Sequence, residues 1–340
     1  MYSISYRILF YFLCNLFALL FLSCQREKEG LYGHESSPKA FWSPSKAVLA
    51  NAIREEKFYK LFKGHQKSFH FEGSGVFAKE NLFYVVFDNS AAIGVIESSL
   101  TGLSDSNFLK GKLLDKSNYE GITYRELEPS SFYVMIESLE RNNGHYPAIV
   151  QLDADLNFKE KKFVKFELEK KNKGLEGITF ITRNGENFIL GLCEGNFCNS
   201  DKEKTRGNGR IQVLKETADD WVVIAEIKLP RSVNFLDYSD MDIENGRVVI
   251  VSQMSSALWV GELHPEKWEM LDKGILYYFP FGDREGNAGL GGEIIYCNIE
   301  GVSWFGMHEI VVVSDKRNED QEKWCKHKEE MIHIFEIPHM

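Results

Sequence analysis

The sequence contains no block of lysine and arginine residues of the kind that follows a nucleic-acid backbone. Its charge balance is acidic, with 40 Lys and Arg against 50 Asp and Glu and a formal net charge of −10. Nucleic acid is therefore excluded as a predicted partner. The chain of 340 residues is 44% apolar and 13% aromatic, which is ample for a sizeable core.

Motifs for nucleophilic catalysis and for zinc are also missing. The nearest approach to a G-x-S-x-G nucleophile elbow is GVSWFG at 301–306, which has the wrong spacing and lies in a predicted strand. There is no C-x-x-C pair, so a zinc site is the weaker interpretation of the cysteines. The histidines are scattered along the chain and are more typical of structural positions.

Residues 1–23 have the pattern of an export signal. The single charge of Arg7 precedes an apolar run at 8–22 that is too short for a convincing spanning helix. The run ends in FLSC, which resembles a bacterial lipobox and predicts acylation of Cys24, palmitate included. Acyl chains would attach the protein to a membrane surface. The alternative is an ordinary cleaved signal with an incidental cysteine.

This interpretation divides the chain into three parts and predicts a location. Residues 24–56 would be the lipidated cysteine and a tether, and 57–340 would be the folded domain. We predict a lipid-anchored, extracytoplasmic position in the bacterial cell envelope and expect a monomer. Four cysteines remain for an oxidising compartment, where disulfides are expected. Of three connectivities, Cys193–Cys198 with Cys297–Cys325 is favoured because the first pair brackets one short loop.

A repeated Glu-Gly pair organises the folded domain. It occurs at 120–121, 176–177 and 300–301, each time before a β-rich run, and looser copies begin near Ser74 and Ser239. Each copy contains about four short strands at a spacing of roughly 45–65 residues, and no helical stripe interrupts them. This pattern predicts an all-β fold, a single β-propeller of four-stranded blades. Five blades are countable, and a degenerate sixth could lie in 263–297.

The last copy supplies only three strands before residue 340. Because an open edge strand invites aggregation, we expect an N-terminal strand to close the ring. The segment GHQKSFHF at 64–71 is placed to provide it.

The propeller geometry predicts where the repeated acids lie. First-strand starts and second-strand ends share one face, so two concentric sets of carboxylates should surround one mouth of the channel. The inner set, a candidate metal site, is Glu120, Glu176, Asp240 and Glu300, and the outer set is Asp88, Glu137, Glu194 and Asp315. Crowded hard oxygens suit Ca²⁺. Two alternatives remain open: carboxylates that accept backbone N–H bonds from the next blade, and a solvated acidic mouth.

Several short strings carry a family resemblance. YEGITY, LEGITF, LDYSDM, ALWVGEL and NIEGVSWF resemble the SdiA-regulated and phytase-like (esterase-like) propeller proteins over roughly residues 70–338. FEGSGV, GLCEGN and YCNIEG resemble an uncharacterised propeller family more closely. The resemblance implies a propeller. In related calcium-dependent lactonase-type propellers a Glu in a similar string ligates the metal, which implies this role for Glu120, Glu176 and Glu300.

Two functions follow as hypotheses. The first is a membrane-anchored lipoprotein that binds a small molecule or a protein partner over the acidic mouth, with Ca²⁺ as a structural ion. The second is a calcium-dependent hydrolase of phosphoesters or lactones. In that enzyme one of Glu137, Glu194 or Asp315 would be the general base.

Overall fold

Five blades, each with four antiparallel strands, surround a common axis in the computed structural model. The outer strands of the second and third blades pair in parallel and join these two blades into one eight-stranded sheet. The structure describes residues 46–64, 68–102, 104–112, 117–171, 173–198, 205–282 and 292–338. The predicted signal segment and Cys24 lie outside these residues. Within them, no helix combines the length and the apolar character needed to cross a membrane. The predicted all-β propeller fold is confirmed.

Each blade runs from an inner to an outer strand. Blade 1 contains β3 (Gly73–Lys79), β4 (Leu82–Phe87), β5 (Ser90–Glu97) and β6 (Phe108–Lys110). Blade 2 contains β7 (Tyr119–Arg125), β8 (Ser131–Arg141), β9 (Gly144–Asp153) and β10 (Phe158–Lys165). Blade 3 contains β11 (Leu175–Arg183), β12 (Glu186–Cys193), β13 (Arg210–Glu216) and β14 (Trp221–Lys228).

Blades 4 and 5 both include a strand from the start of the domain. Blade 4 contains β15 (Asp240–Glu244), β16 (Arg247–Ser252), β17 (Ala257–Leu263), β18 (Met270–Tyr278) and, parallel to β18, β1 (Lys46–Val48). Blade 5 contains β19 (Ile299–Trp304), β20 (Glu309–Ser314), β21 (Met331–Glu336) and β2 (Arg54–Lys57). A four-residue helix, α1 (Phe58–Leu61), follows β2. The segment 263–297 was the candidate for a sixth blade. Its described part contributes β18 to blade 4 and forms no separate blade.

The ring is closed by a segment upstream of the predicted one. β2 pairs antiparallel with β21, with Lys57 opposite Met331, and so covers the last open edge. The prediction that GHQKSFHF supplies this strand is wrong, since its described residues contain no strand. The propeller also begins before the predicted boundary at residue 57, because β1 and β2 belong to its sheets.

Buried polar side chains anchor the closing strand, β2. His333 is fully buried, and its Nδ1 lies 2.9 Å from a Glu55 carboxylate oxygen. The other Glu55 oxygen accepts a short hydrogen bond from Lys328. Ser314 Oγ lies 3.4 Å from His333 Nε2, so three side chains imitate a catalytic triad. Because Ser314 is also buried and its hydroxyl donates to the Lys328 carbonyl, these side chains have a structural role.

Glycine allows the inner strands to approach one another at the axis. A Cβ on Gly75 would lie 2.4 Å from the carbonyl oxygen of Glu120, and one on Gly121 would lie 2.9 Å from that of Glu176. Both distances are too short for any side chain. The glycine of the repeated pair is therefore required by the contact between neighbouring blades.

Polar side chains link the inner strands of neighbouring blades around the axis. Thr123 Oγ1 accepts a 2.9 Å hydrogen bond from the Phe180 amide of the next blade. Ser303 Oγ accepts one from the Ala78 amide at 3.1 Å. Asp242 accepts bonds from Ser303 Oγ and from the Trp304 amide. Buried polar groups are stable only when they are paired, and here each pair joins two inner strands.

Apolar layers between adjacent blades form the core. Val86 and Ile93 of blade 1 pack with Ile122 and Val134 of blade 2, all of them buried. Comparable layers lie between the other blades, including one around the buried Trp259. Burial of such side chains contributes roughly 1.5–3 kcal/mol each, so these layers dominate the stability of the ring.

Candidate functional site

A repeated backbone hydrogen bond places the acids at one face of the propeller. In four blades the backbone N–H of the outer acid donates a hydrogen bond to a carbonyl group. That carbonyl lies two residues before the inner-strand position of Ser74, Glu120, Glu176 or Glu300. The pairs are Asp88 to Glu72 (2.9 Å), Glu137 to Asn118 (3.4 Å), Glu194 to Gly174 (3.2 Å) and Asp315 to Asn298 (2.9 Å). Each bond fixes an outer acid beside the inner strand of its own blade.

Glu120 is a largely buried acid at the mouth. Its side chain is only 9% exposed, and no described residue donates a hydrogen bond to its carboxylate. Burial, followed by the charges of Asp88 and Glu300, raises the pKa of Glu120 well above the ordinary range. Such crowding of like charges favours a proton or a cation at this carboxyl group.

Among the described residues, Glu137, Glu176 and Glu194 form a close grouping of acids. One carboxylate oxygen from each can be chosen so that all three lie within 4.8 Å of one another. Burial and then the Glu120 and Glu194 charges raise the pKa of Glu176 well above normal. Burial and the Glu194 charge raise the pKa of Glu137 to about 7, despite a hydrogen bond from the Gly174 amide. The repulsion shows that this part of the mouth is short of positive charge.

Glu300 and Asp315 occupy the side of the mouth formed by blade 5. Burial and then the Asp315 and Asp237 charges raise the pKa of Glu300 well above its usual range. Burial raises the pKa of Asp315 to about 7, with further increases from Glu72 and Asp88 against a lowering bond from the Lys316 amide. Gln253, which follows β16 in blade 4, donates a 2.6 Å hydrogen bond to Glu300.

Asp240 is placed differently from the other inner acids. It aligns with the glycine of the repeated pair, one position deeper than Glu120, and is 2% exposed. One of its oxygens accepts a 2.8 Å bond from the Met241 amide, and the other a 2.8 Å bond from the Val302 amide of blade 5. The other predicted carboxylates therefore lie together at the mouth. The Asp240 carboxylate instead joins blade 4 to blade 5.

Three charged residues at the mouth were not predicted from the sequence. Lys173 forms an ion pair with Glu194, with 2.5 Å between the ammonium nitrogen and a carboxylate oxygen. Asp237 is buried, accepts hydrogen bonds from Ser252 and the Met254 amide, and adds negative charge near Glu300. Glu72 adds to the field at Asp315. All precede inner strands by one to three positions, outside the strand pattern that carried the prediction.

Both predicted disulfides are present. Cys193 is joined to Cys198, and Cys297 is joined to Cys325. The first bond closes the loop that contains Glu194. The second joins the approach to β19 with a 3₁₀ helix (Lys323–His327) in the connection between β20 and β21. Both crosslinks thus lie beside the acidic mouth, as the strand order requires.

The fold and the site define a β-propeller protein with a crowded acidic mouth. No known protein family and no curated protein matches this sequence. The proposed membership of the SdiA-regulated or phytase-like group therefore stays a prediction.

Solved structures resemble the chain at low identity. Glutaminyl cyclase from Myxococcus xanthus is 10% identical with a TM-score of 0.49, over 86% of this chain and 97% of that one. A PQQ-bound aldose sugar dehydrogenase from Streptomyces coelicolor is 10% identical with a TM-score of 0.43, over 84% and 99%. Regucalcin from Agrobacterium tumefaciens, described as a calcium-binding protein, is 8% identical with a TM-score of 0.44, over 86% and 95%. These similarities concern the fold alone.

Proposed function

We propose that this protein binds Ca²⁺ at the acidic mouth and uses the ion to organise a binding surface for a small molecule or a protein partner. The observation that carries the proposal is the grouping of Glu137, Glu176 and Glu194, whose carboxylate oxygens lie within 4.8 Å of one another, beside the largely buried Glu120. A cation would be bound by these three carboxylates. It would also remove the repulsion that raises the pKa of Glu120, Glu176 and Glu300.

The donor set fits calcium better than zinc. Glu137, Glu176 and Glu194 present hard oxygen atoms within 4.8 Å of one another, and Ca²⁺ with bonds of about 2.3–2.6 Å spans such separations. Structural zinc prefers Cys and His ligands, and the cysteines beside this mouth are already in disulfides. Glu120 and Glu300 would complete the negative charge around the ion.

Thermal unfolding of the purified protein with its disulfides intact tests this proposal. The midpoint in EDTA should rise on titration with Ca²⁺, corresponding to about 2.7 kcal/mol when the ion is at a hundredfold excess over its dissociation constant. Glu120→Gln should be more stable than wild type in EDTA, because a repelled carboxyl group is gone, and should respond less to Ca²⁺. Glu266→Gln, an exposed change, is the matched control. A wild-type midpoint that ignores Ca²⁺ would exclude the site.

A hydrolase is the second candidate, and Asp315, which lies at the mouth outside the Glu137, Glu176 and Glu194 grouping, favours it. Burial raises the pKa of Asp315 to about 7 in the metal-free protein, and a carboxylate of this kind can accept a proton from water and return it. Bound Ca²⁺ would supply Lewis acidity toward an ester or lactone oxygen. A panel of chromogenic phosphoesters and lactones, assayed in Ca²⁺ from pH 5 to 9, tests this. Activity that rises with pH and falls more than a hundredfold in Asp315→Asn, with Ca²⁺ binding retained, would support it, and an inactive wild type would exclude it.

We also propose that Cys24 carries acyl chains that anchor the propeller in the bacterial cell envelope. The support is the FLSC string after an apolar run at 8–22. Full-length protein made in a bacterium fed an alkyne-labelled palmitate should become labelled and sediment with membranes. Cys24→Ser should remain unlabelled. Equal labelling of both chains would contradict acylation at this residue.

A further inference from the structure

A cavity lined mainly by basic side chains lies next to the acidic mouth. Its volume is about 550 Å³. It begins one residue beyond Asp315 and is bounded by the end of β2, the segment after Asp315, and the 3₁₀ helix Lys323–His327. The Lys and Arg residues in its wall are Lys57, Lys316, Arg317, Lys323 and Lys326, and His70 and His327 also line it.

The cationic charge of this cavity is not balanced by its acids. Only Glu329 and Glu330 carry negative charge in the wall, against five Lys and Arg. Both acids are already engaged. Glu330 accepts hydrogen bonds from His70 and the Phe71 amide, both at 2.9 Å, and Glu329 accepts one from the Arg317 amide at 3.0 Å. Such a concentration of positive charge is unusual in a chain with a net charge of −10.

Three of these lysines have no acidic partner in the part of the chain that the structure describes. Among the described residues, no carboxylate oxygen lies within 4.0 Å of the ammonium groups of Lys316, Lys323 or Lys326. Lys323 and Lys326 are exposed, and they lie about one turn apart in the same 3₁₀ helix. Their ammonium donors are therefore available to an anion from solution.

The wall that carries these lysines is held in place. The Cys297–Cys325 disulfide joins the 3₁₀ helix to the approach to β19. Trp324 Nε1 donates a 3.0 Å bond to the Ile294 carbonyl. Arg317 donates to the carbonyls of Asn318 and Gln321, both at 2.7 Å, which fixes the loop between. A preorganised wall avoids much of the entropy that flexible lysines lose on binding.

We propose that this cavity is a binding site for a small ligand that carries a multiply charged oxyanion group, such as a phosphate, a sulfate or a polycarboxylate. Excess ammonium donors around a cavity of 550 Å³ match an anion of charge −2 or more. The site needs no metal. It stands whether or not Ca²⁺ binds at the mouth, although its position beside Asp315 would let one ligand reach both.

Calorimetric titration of protein that has been freed of metal on a chelating resin, with no soluble chelator present, tests this site independently of the mouth. Inorganic phosphate, sulfate and citrate are titrated at constant ionic strength, and the tightest of the three identifies the oxyanion. Lys323→Ala/Lys326→Ala should weaken binding at least tenfold. Lys161→Ala/Lys228→Ala removes the same charge from exposed positions on β10 and β14 and should bind like wild type. Absence of binding to wild type, or equal weakening in both pairs, would overturn the proposal.

Discussion

The Lys173 ammonium group lies 2.5 Å from the Glu194 carboxylate and brings a positive charge into a mouth that is otherwise acidic. The same charge lowers the pKa of Glu137, so its influence extends beyond its own ion pair. Lys173 thus replaces part of the positive charge that a bound cation would supply, at the edge of the Glu137, Glu176 and Glu194 grouping.

Removal of this lysine should strengthen calcium binding. In Lys173→Gln the mouth keeps its oxygens and loses one competing cation, so the Ca²⁺ affinity should rise about tenfold, the equivalent of about 1.4 kcal/mol. The variant should also be less stable than wild type in EDTA, because repulsion among the acids increases. Calorimetry with Ca²⁺ measures the affinity, and Lys161→Gln on β10 is the control. Unchanged or weaker binding would mean that Lys173 supports the site rather than competing with the ion.

The pKa of Glu137 and Asp315, each about 7, predicts how stability depends on pH. Because each value is raised above that of the unfolded chain, the folded state holds protons that the unfolded state has lost. The contribution of these two groups to stability in EDTA should therefore fall as pH rises from about 4 to 7 and level off above 7. The double variant Glu137→Gln/Asp315→Asn should not lose this stability, because neither amide side chain titrates. Its advantage over wild type should grow across that window, by about 1–3 kcal/mol.

Urea unfolding at several pH values measures that difference directly. Comparison with wild type at each pH cancels the titration of all other groups. Glu266→Gln/Asp219→Asn, both exposed, should give a curve parallel to wild type. An advantage that is the same at pH 4.5 and pH 7.5 would show that the two carboxyl groups titrate normally.

The propeller and most of its mouth could be predicted from the sequence because both depend on local, repeated features. Strand alternation and the Glu-Gly pair recur in register, so the pattern alone assigned Glu120, Glu176 and Glu300 to one face. The closing strand could not be found in this way. β2 has the sequence REEK, without an apolar alternation, and its pairing with β21 joins residues almost 280 positions apart.

The role of Asp240 also depended on information outside the local sequence. In the fourth copy an Asp takes the place of the glycine, and its carboxylate reaches the Val302 amide of blade 5. A strand pattern gives the position of a residue along a blade, but not which backbone groups of a distant blade lack a partner. The basic cavity beside Asp315 was missed for the same reason, since β2 and the 3₁₀ helix Lys323–His327 meet only in the closed ring.

The two disulfides should differ in their contribution to stability. On the chain-entropy model a bond stabilises more when it closes a longer loop, which gives about 3.5 kcal/mol for Cys297–Cys325 and about 2 kcal/mol for Cys193–Cys198. The sequence separations are 28 and 5 residues. Denaturant unfolding of Cys297→Ser/Cys325→Ser and Cys193→Ser/Cys198→Ser measures both losses. A larger loss for the short loop would show that local packing, rather than loop closure, determines the effect.

Glu55 should be the most sensitive residue of the closing strand. Burial alone would raise the pKa of Glu55, but the hydrogen bonds from His333 and Lys328 lower it to about 2. The charged form is therefore stabilised by folding. This contribution is present above about pH 4.5 and is lost as pH falls toward 2.

Glu55→Gln should destabilise the protein by about 2 kcal/mol at pH 7, since charged hydrogen bonds to the buried His333 and to Lys328 are lost. Glu56→Gln, one residue away, removes only a partly exposed pair with Lys60 and should cost less than about 1 kcal/mol. Urea unfolding at pH 7 and pH 3 separates the two, because the Glu55 deficit should shrink at the lower pH. A deficit of equal size at both pH values would mean that packing of β2, rather than the charge of Glu55, fastens the ring.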